Sequence, residues 1–184
     1  MQRKWKLFII RNFRLCLFFA QMRLFAKHNG SDTAPYFYFK EETKMINAIS
    51  TNPVQTVEAG ANVLFNGTNV RTGSCKGCRG WLNFNSVNSG IFEITKGGIY
   101  EIHFNANVSP TVAGQITLNI TNAGENILGG EMQTAGTTPD TFENVASEIL
   151  VEVPCNCCDI FTIKNNSDNP IVVNNPSFTI ERLA

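Results

Sequence analysis

The stretch Gly98-Ile99-Tyr100-Glu101-Ile102-His103-Phe104-Asn105-Ala106-Asn107-Val108 decides the fold class of this 184-residue chain. Tyr100, Ile102, Phe104, Ala106 and Val108 are apolar, and Glu101, His103, Asn105 and Asn107 between them are polar. Successive side chains of a strand point to opposite faces, so a period of two sustained this long predicts a strand with one face buried. The same alternation returns at Ile116, Leu118 and Ile120, and again at Ile149, Val151 and Val153 before Pro154. Shorter apolar runs over 63–65, 81–84, 91–95, 161–163, 171–173 and 178–180 read as further strands.

Ala123-Gly124, the run 165–169 and Asn174-Asn175-Pro176 read as turns, because Asn tolerates a left-handed backbone and Pro cannot sit inside a central ladder. Six of the seven prolines lie beyond position 50, and no long helical pattern survives between them. The expected architecture is all-β: a two-sheet antiparallel jelly-roll sandwich of about ten strands.

The net charge of zero averages two unlike segments. Residues 1–44 hold nine Lys or Arg against three Asp or Glu, and residues 45–184 hold six against twelve. The basic segment is expected to lie outside the fold. It does not read as a secretory signal or a membrane span, since Arg11 and Arg14 interrupt its apolar run and leave residues 15–20 as the longest piece. A surface anchor with Arg on one side and a flexible basic tail are the other physical options. Lys40-Glu41-Glu42 precedes Met45 closely, and its codons can spell a purine-rich ribosome-binding sequence. Met45 is therefore expected to be the true start, with 1–44 a translated leader and 45–184 the domain; AAA-GAA-GAA codons would remove that argument.

Phe92, then five residues, Gly98, and Tyr100, Ile102 and Phe104 at alternate positions resemble the core signature of the tumour-necrosis-factor-like jelly roll. That fold also forms the globular head of complement and collagen-like proteins. Ile102 departs from the usual Phe, and Phe84 is one residue too far upstream to be in register. Residues 45–184 as a whole resemble the small bacterial and bacteriophage members of this class. The resemblance implies a compact homotrimer in which each interface repeats one heterologous contact.

Cysteine is the chemically loaded residue of the domain. Cys75 and Cys78 form one cluster, and Cys155, Cys157 and Cys158 form another about 80 residues on. A zinc site takes four thiolates, and Cys-x-x-Cys is a common half of one, although Cys155-x-Cys157 is tighter than usual. Disulfides, within a chain or between subunits, suit a protein exposed outside the cell. Unlinked thiols are the third option, and no cofactor is required by any other motif.

Catalysis finds little support. His103 is the one histidine of the domain, and it sits on the polar face of a strand between Glu101 and Asn105. There is no G-x-S-x-G elbow, phosphate loop or H-E-x-x-H motif. The acidic balance of 45–184 speaks against a nucleic-acid partner. What remains is a non-enzymatic module at an extracellular or virion surface. Loops 66–69, 83–88 and 134–138, rich in Asn, Thr, Gly and Ser, offer hydrogen bonds to a cell-surface glycan or protein. A purely structural trimerisation or decoration head of a phage or spore-surface assembly is the alternative. The Asn-x-Ser/Thr sites at Asn29, Asn66, Asn107, Asn119 and Asn165 matter only in a secretory pathway that glycosylates.

Overall fold

The structure, a computed structural model, describes residues 43–52, 54–73, 80–85, 87–155 and 158–184. The basic leader expected over 1–44 therefore lies outside the described residues, apart from its last two. Eleven strands and no helix occur among the described residues. In chain order they are β1 (Lys44–Ile49), β2 (Val54–Val57), β3 (Gly67–Arg71), β4 (Leu82–Phe84), β5 (Phe92–Ile94) and β6 (Gly98–Pro110). Then follow β7 (Gly114–Asn122), β8 (Glu125–Gly136), β9 (Glu143–Val153), β10 (Asp159–Asn165) and β11 (Ile171–Arg182).

The strands form two antiparallel sheets. One has the order β3-β1-β11-β6-β9, with β2 also on β11, and the other has the order β4-β5-β10-β7-β8. Spatial neighbours are mostly distant in sequence, as in a jelly roll. The alternation that predicts β6 is realised in its burial, with Tyr100, Ile102, Phe104, Ala106 and Val108 facing inward and fully buried. Each inward residue of β6 meets an inward residue on both neighbours, so Ile102 lies between Ile180 of β11 and Ile149 of β9. Ile46 of β1 extends this row beyond Ile180. A β-branched side chain at 102 thus packs among its own kind on the pleated surface.

Aromatic rings fill the space between the sheets. Phe92 of β5 lies 4.5 Å from Phe84, stacked, and meets Phe178 and Phe65 edge-on at 4.6 and 5.4 Å. Offset and edge-to-face pairs of this kind add to the burial of the rings themselves. Trp81 stacks on Tyr100 at 6.0 Å. The Tyr100 hydroxyl donates to the Lys96 carbonyl at 2.7 Å, which satisfies the one polar atom this ring carries into the core. Burial pushes the Tyr100 phenol above its ordinary value, with Arg182 opposing the rise.

The turn before β6 is unusually crowded. Gly98 has φ 152°, and a Cβ there would stand 2.2 Å from the Ala184 carbonyl oxygen and 2.8 Å from Arg182 Nε. The residues after β11 fold back over this turn, with Arg182 Nη2 donating to the Gly97 carbonyl at 2.9 Å. Gly98 is needed because no side chain fits beneath them.

Five sequence expectations are corrected by the structure. Asn174-Asn175-Pro176 is no turn between strands but a bulge inside β11, where the pairing with β6 shifts between Asn174 and Ser177. Asn175 takes φ 51° and the unpaired bulge accommodates the proline, which has no N–H for the ladder. Residues 63–65 hold no strand: Val63 and Phe65 are buried, and the segment is secured by isolated bridges of Asn62 to Lys164 and Phe65 to Ser89, by the Val63 N–H on the Ile163 carbonyl and by the Gln55 side chain on the Leu64 backbone. The loop expected over 134–138 belongs to β8 as far as Gly136, and the loop over 66–69 is mostly β3. Asn83 likewise lies in β4. Ala123 and Gly124, both with positive φ, make the tight β7–β8 hairpin that their residue types predict.

Replacing Phe92 by Ala should cost about 3–5 kcal/mol, because it removes a fully buried ring with three aromatic neighbours, and Phe92→Leu should cost clearly less. Urea midpoints of the two variants check this. Gly98→Ala should lose at least about 1–3 kcal/mol, whereas Gly124→Ala, whose added methyl meets nothing, should lose less. Equal losses at the two glycines would mean that the crowding at Gly98 is readily relieved.

Candidate functional site

Core and surface are separated strictly by the pleat in the six-stranded sheet. Its outward face carries Glu101, His103, Asn105 and Asn107 from β6, flanked by alternate residues of β11 and β9. Hydrogen bonds run across the strands. Asn47 Nδ2 donates to Ser177 Oγ and Thr179 Oγ1, both at 2.8 Å, and its Oδ1 accepts from Asn69 Nδ2 at 3.1 Å. On the other flank Asn144 Nδ2 donates to Asn107 Oδ1 at 3.2 Å and to the Ala106 carbonyl at the same distance. The result is a flat face of uncharged amides and hydroxyls held in place by one another.

Charge on this face is of one sign. Glu101 lies opposite Glu181 of β11, and His103 lies opposite Glu148 of β9. The outward residues of β1, β6, β9 and β11 include no Lys or Arg. The Glu148 carboxyl beside Glu101, together with partial desolvation and the charge of Glu181, holds the Glu101 carboxyl above its usual value, and His103 opposes the rise. Like charges directly opposite on a sheet repel, so this row destabilises an isolated subunit unless protons or a partner relieve it.

His103, the candidate base, stands in the middle of this flat face, half-buried, with Thr179 and Glu148 as its cross-strand neighbours. Thr179 is already bonded to Asn47, and no nucleophile–base arrangement is built around the imidazole. The core-signature residues Phe92, Tyr100, Ile102 and Phe104 are all fully buried and offer nothing to a ligand.

Cys75, Cys78 and Cys157 lie outside the described residues. Cys155 and Cys158 are exposed, and Cys155 packs over the turn before β6, where a Cβ on Gly97 would come within 3.0 Å of its Sγ. Among the described residues no three metal-ligating side chains converge. Asn119 and Asn165 are buried, which removes two of the glycosylation sites, and Asn66 is engaged by Thr51 through its Oδ1. Asn29 is outside the described residues.

No protein-family model and no curated protein matches the sequence. Solved structures do match in shape. Murine APRIL at pH 5.0 superposes with a TM-score of 0.56 at 12% identity, over 77% of this chain and 99% of that one. The globular domain of zebrafish complement 1qA gives 0.56 at 11%, over 78% and 98%. Eiger TNF from S. frugiperda gives 0.57 at 11%, over 78% and 94%. The fold is the tumour-necrosis-factor-like jelly roll. Identities this low speak for the architecture alone. The cross-strand rows on the outward face of the six-stranded sheet could not be read from sequence, because register is not written in any one strand.

The raised Glu101 carboxyl has a testable sign. A carboxyl that protonates more readily folded than unfolded favours the folded state below its ordinary value of 4.5, and that gain is lost as pH rises through the raised value. Glu101→Gln should therefore stabilise the protein near neutral pH and flatten this part of the pH profile. Urea midpoints of both proteins across pH 4 to 8 check it, and parallel profiles would refute it.

Proposed function

We propose that the chain is a non-enzymatic homotrimeric binding module, displayed at a bacterial cell surface or on a bacteriophage virion. One observation carries the reading: the jelly-roll topology extends over nearly the whole length of APRIL, the complement head and Eiger TNF. The outward face of the six-stranded sheet supports it. Its amides and hydroxyls at Asn47, Asn69, Asn107, Asn144, Ser177 and Thr179 are already mutually bonded, so a second copy could cover that part of the face, away from the Glu101, Glu148 and Glu181 row, with little polar desolvation.

No helix among the described residues is long and apolar enough to cross a membrane. The cysteines enter the same reading as a clasp: disulfides or a thiolate metal site could lock the trimer if the 74–79 and 155–158 segments of neighbouring subunits meet.

Light scattering of the full chain, with and without reductant and chelator, tests the proposal. The expected mass is three chains under every condition. A trimer lost on reduction or chelation would keep the module and make the thiols its clasp. A monomer throughout would overturn the homotrimer.

A further inference from the structure

Arg71 ends β3, the edge strand of the six-stranded sheet, and pairs with buried Ile46, so its side chain starts on the inner side of that sheet. It reaches across to the opposite sheet. There Nη2 donates to the Leu82 carbonyl at 3.3 Å, on β4, the edge strand of the opposite sheet. Beside this bridge lies a surface cleft of about 430 Å³, within the size range of small-molecule sites.

The cleft combines both charges with an apolar patch. Glu93 lines it from β5, and its Oε2 accepts from Asn83 Nδ2 at 2.8 Å, which restrains the carboxylate. Arg71 supplies a planar fork of five donors, of which the Leu82 carbonyl takes one. Ile91, 51% exposed, supplies the apolar lining, and behind it Phe84 is buried and stacked on Phe92.

The two opposite charges balance, so a strongly charged ligand would satisfy one and repel the other. A ligand that donates and accepts from adjacent atoms, and also carries an apolar face, satisfies all of them. A sugar ring has this chemistry: vicinal hydroxyls that both donate and accept, over a face of C–H bonds. We propose that the cleft at the β3–β4 mouth binds a neutral saccharide unit, with Arg71 donating to one hydroxyl, Glu93 accepting from its neighbour, and Ile91 against the C–H face of the ring. This deepens the binding-module reading and rests on it, since it names the ligand class of that module.

Saturation-transfer NMR on the full chain tests the site with the methyl glycosides of glucose, galactose, mannose and N-acetylglucosamine, and with zwitterionic alanine as the competing chemistry. At least one glycoside should receive saturation, strongest on the ring protons of one face, in a dose-dependent and saturable way. Affinity should fall about tenfold or more in Arg71→Lys and in Glu93→Gln, since each loses a charge-assisted hydrogen bond. It should be unchanged in Gln133→Ala on distant β8. Amide dispersion in each variant verifies that it is folded. No saturation with any glycoside, saturation indifferent to both variants, or saturation of alanine alone would overturn the proposal. The mass measurement separates the two readings: a trimer without glycoside binding sinks only the saccharide site, and a monomer that binds glycoside sinks only the trimer.

Discussion

A slip of β6 by one residue against either neighbour would turn Tyr100, Ile102 and Phe104 outward and bring Glu101 and His103 into the core. Register on this strand is the constraint that the other features of the molecule obey. It places the isoleucine row of 46, 180, 102 and 149 on one side and the glutamate row on the other. It also explains why Gly98 admits no side chain: the strand must begin directly beneath the returning residues after β11. The aromatic cluster around Phe92 then joins the second sheet to an already ordered surface.

Strands that bury one face beside a solvated one were legible, because their alternation is in the sequence of each strand alone. β6 and β9 are of this kind, and β7 alternates in sequence although Asn119 and Thr121 on its polar face are also buried. β8 was not, since Gly129 and Gly130 interrupt it and its pairing with β7 slips between Asn119 and Thr121. β3 was hidden by its place at the margin, where small and polar side chains suffice, and β1 by its shortness, with only Ile46 and Ala48 buried. The bulge in β11 was read as a turn for a sound local reason, since Asn-Asn-Pro carries turn chemistry whether the chain reverses or merely kinks. The saccharide cleft was invisible beforehand: Arg71 and Glu93 belong to strands of different sheets, and only the fold brings them to one mouth.

Arg71 also does something for the fold that is independent of any ligand. An inward-pointing charge on an edge strand discourages another strand from adding to it, and the bond to Leu82 ties the two sheets together where no strand closes them. Binding and edge protection are compatible uses of one side chain. The outward face of the six-stranded sheet shows the complementary economy, with amides that neither seek water strongly nor resist being covered.

β11 is the hub of its sheet, pairing with β6 along one edge and with β1 and β2 in succession along the other. The bulge at Asn174–Ser177 divides that second edge into its two portions. It is also the last of the described strands in chain order, so it leaves the ribosome after its partners. While the chain is being synthesised, β1 and β2 have no partner of their own sheet to their inner side, and β6 is covered on only one flank. The nascent protein must therefore carry unpaired edges and the inner residues of β1 for most of its translation, and its folding rate is bound to long-range closure rather than to local structure. Selection on such a chain acts on its solubility before completion as much as on the finished sandwich.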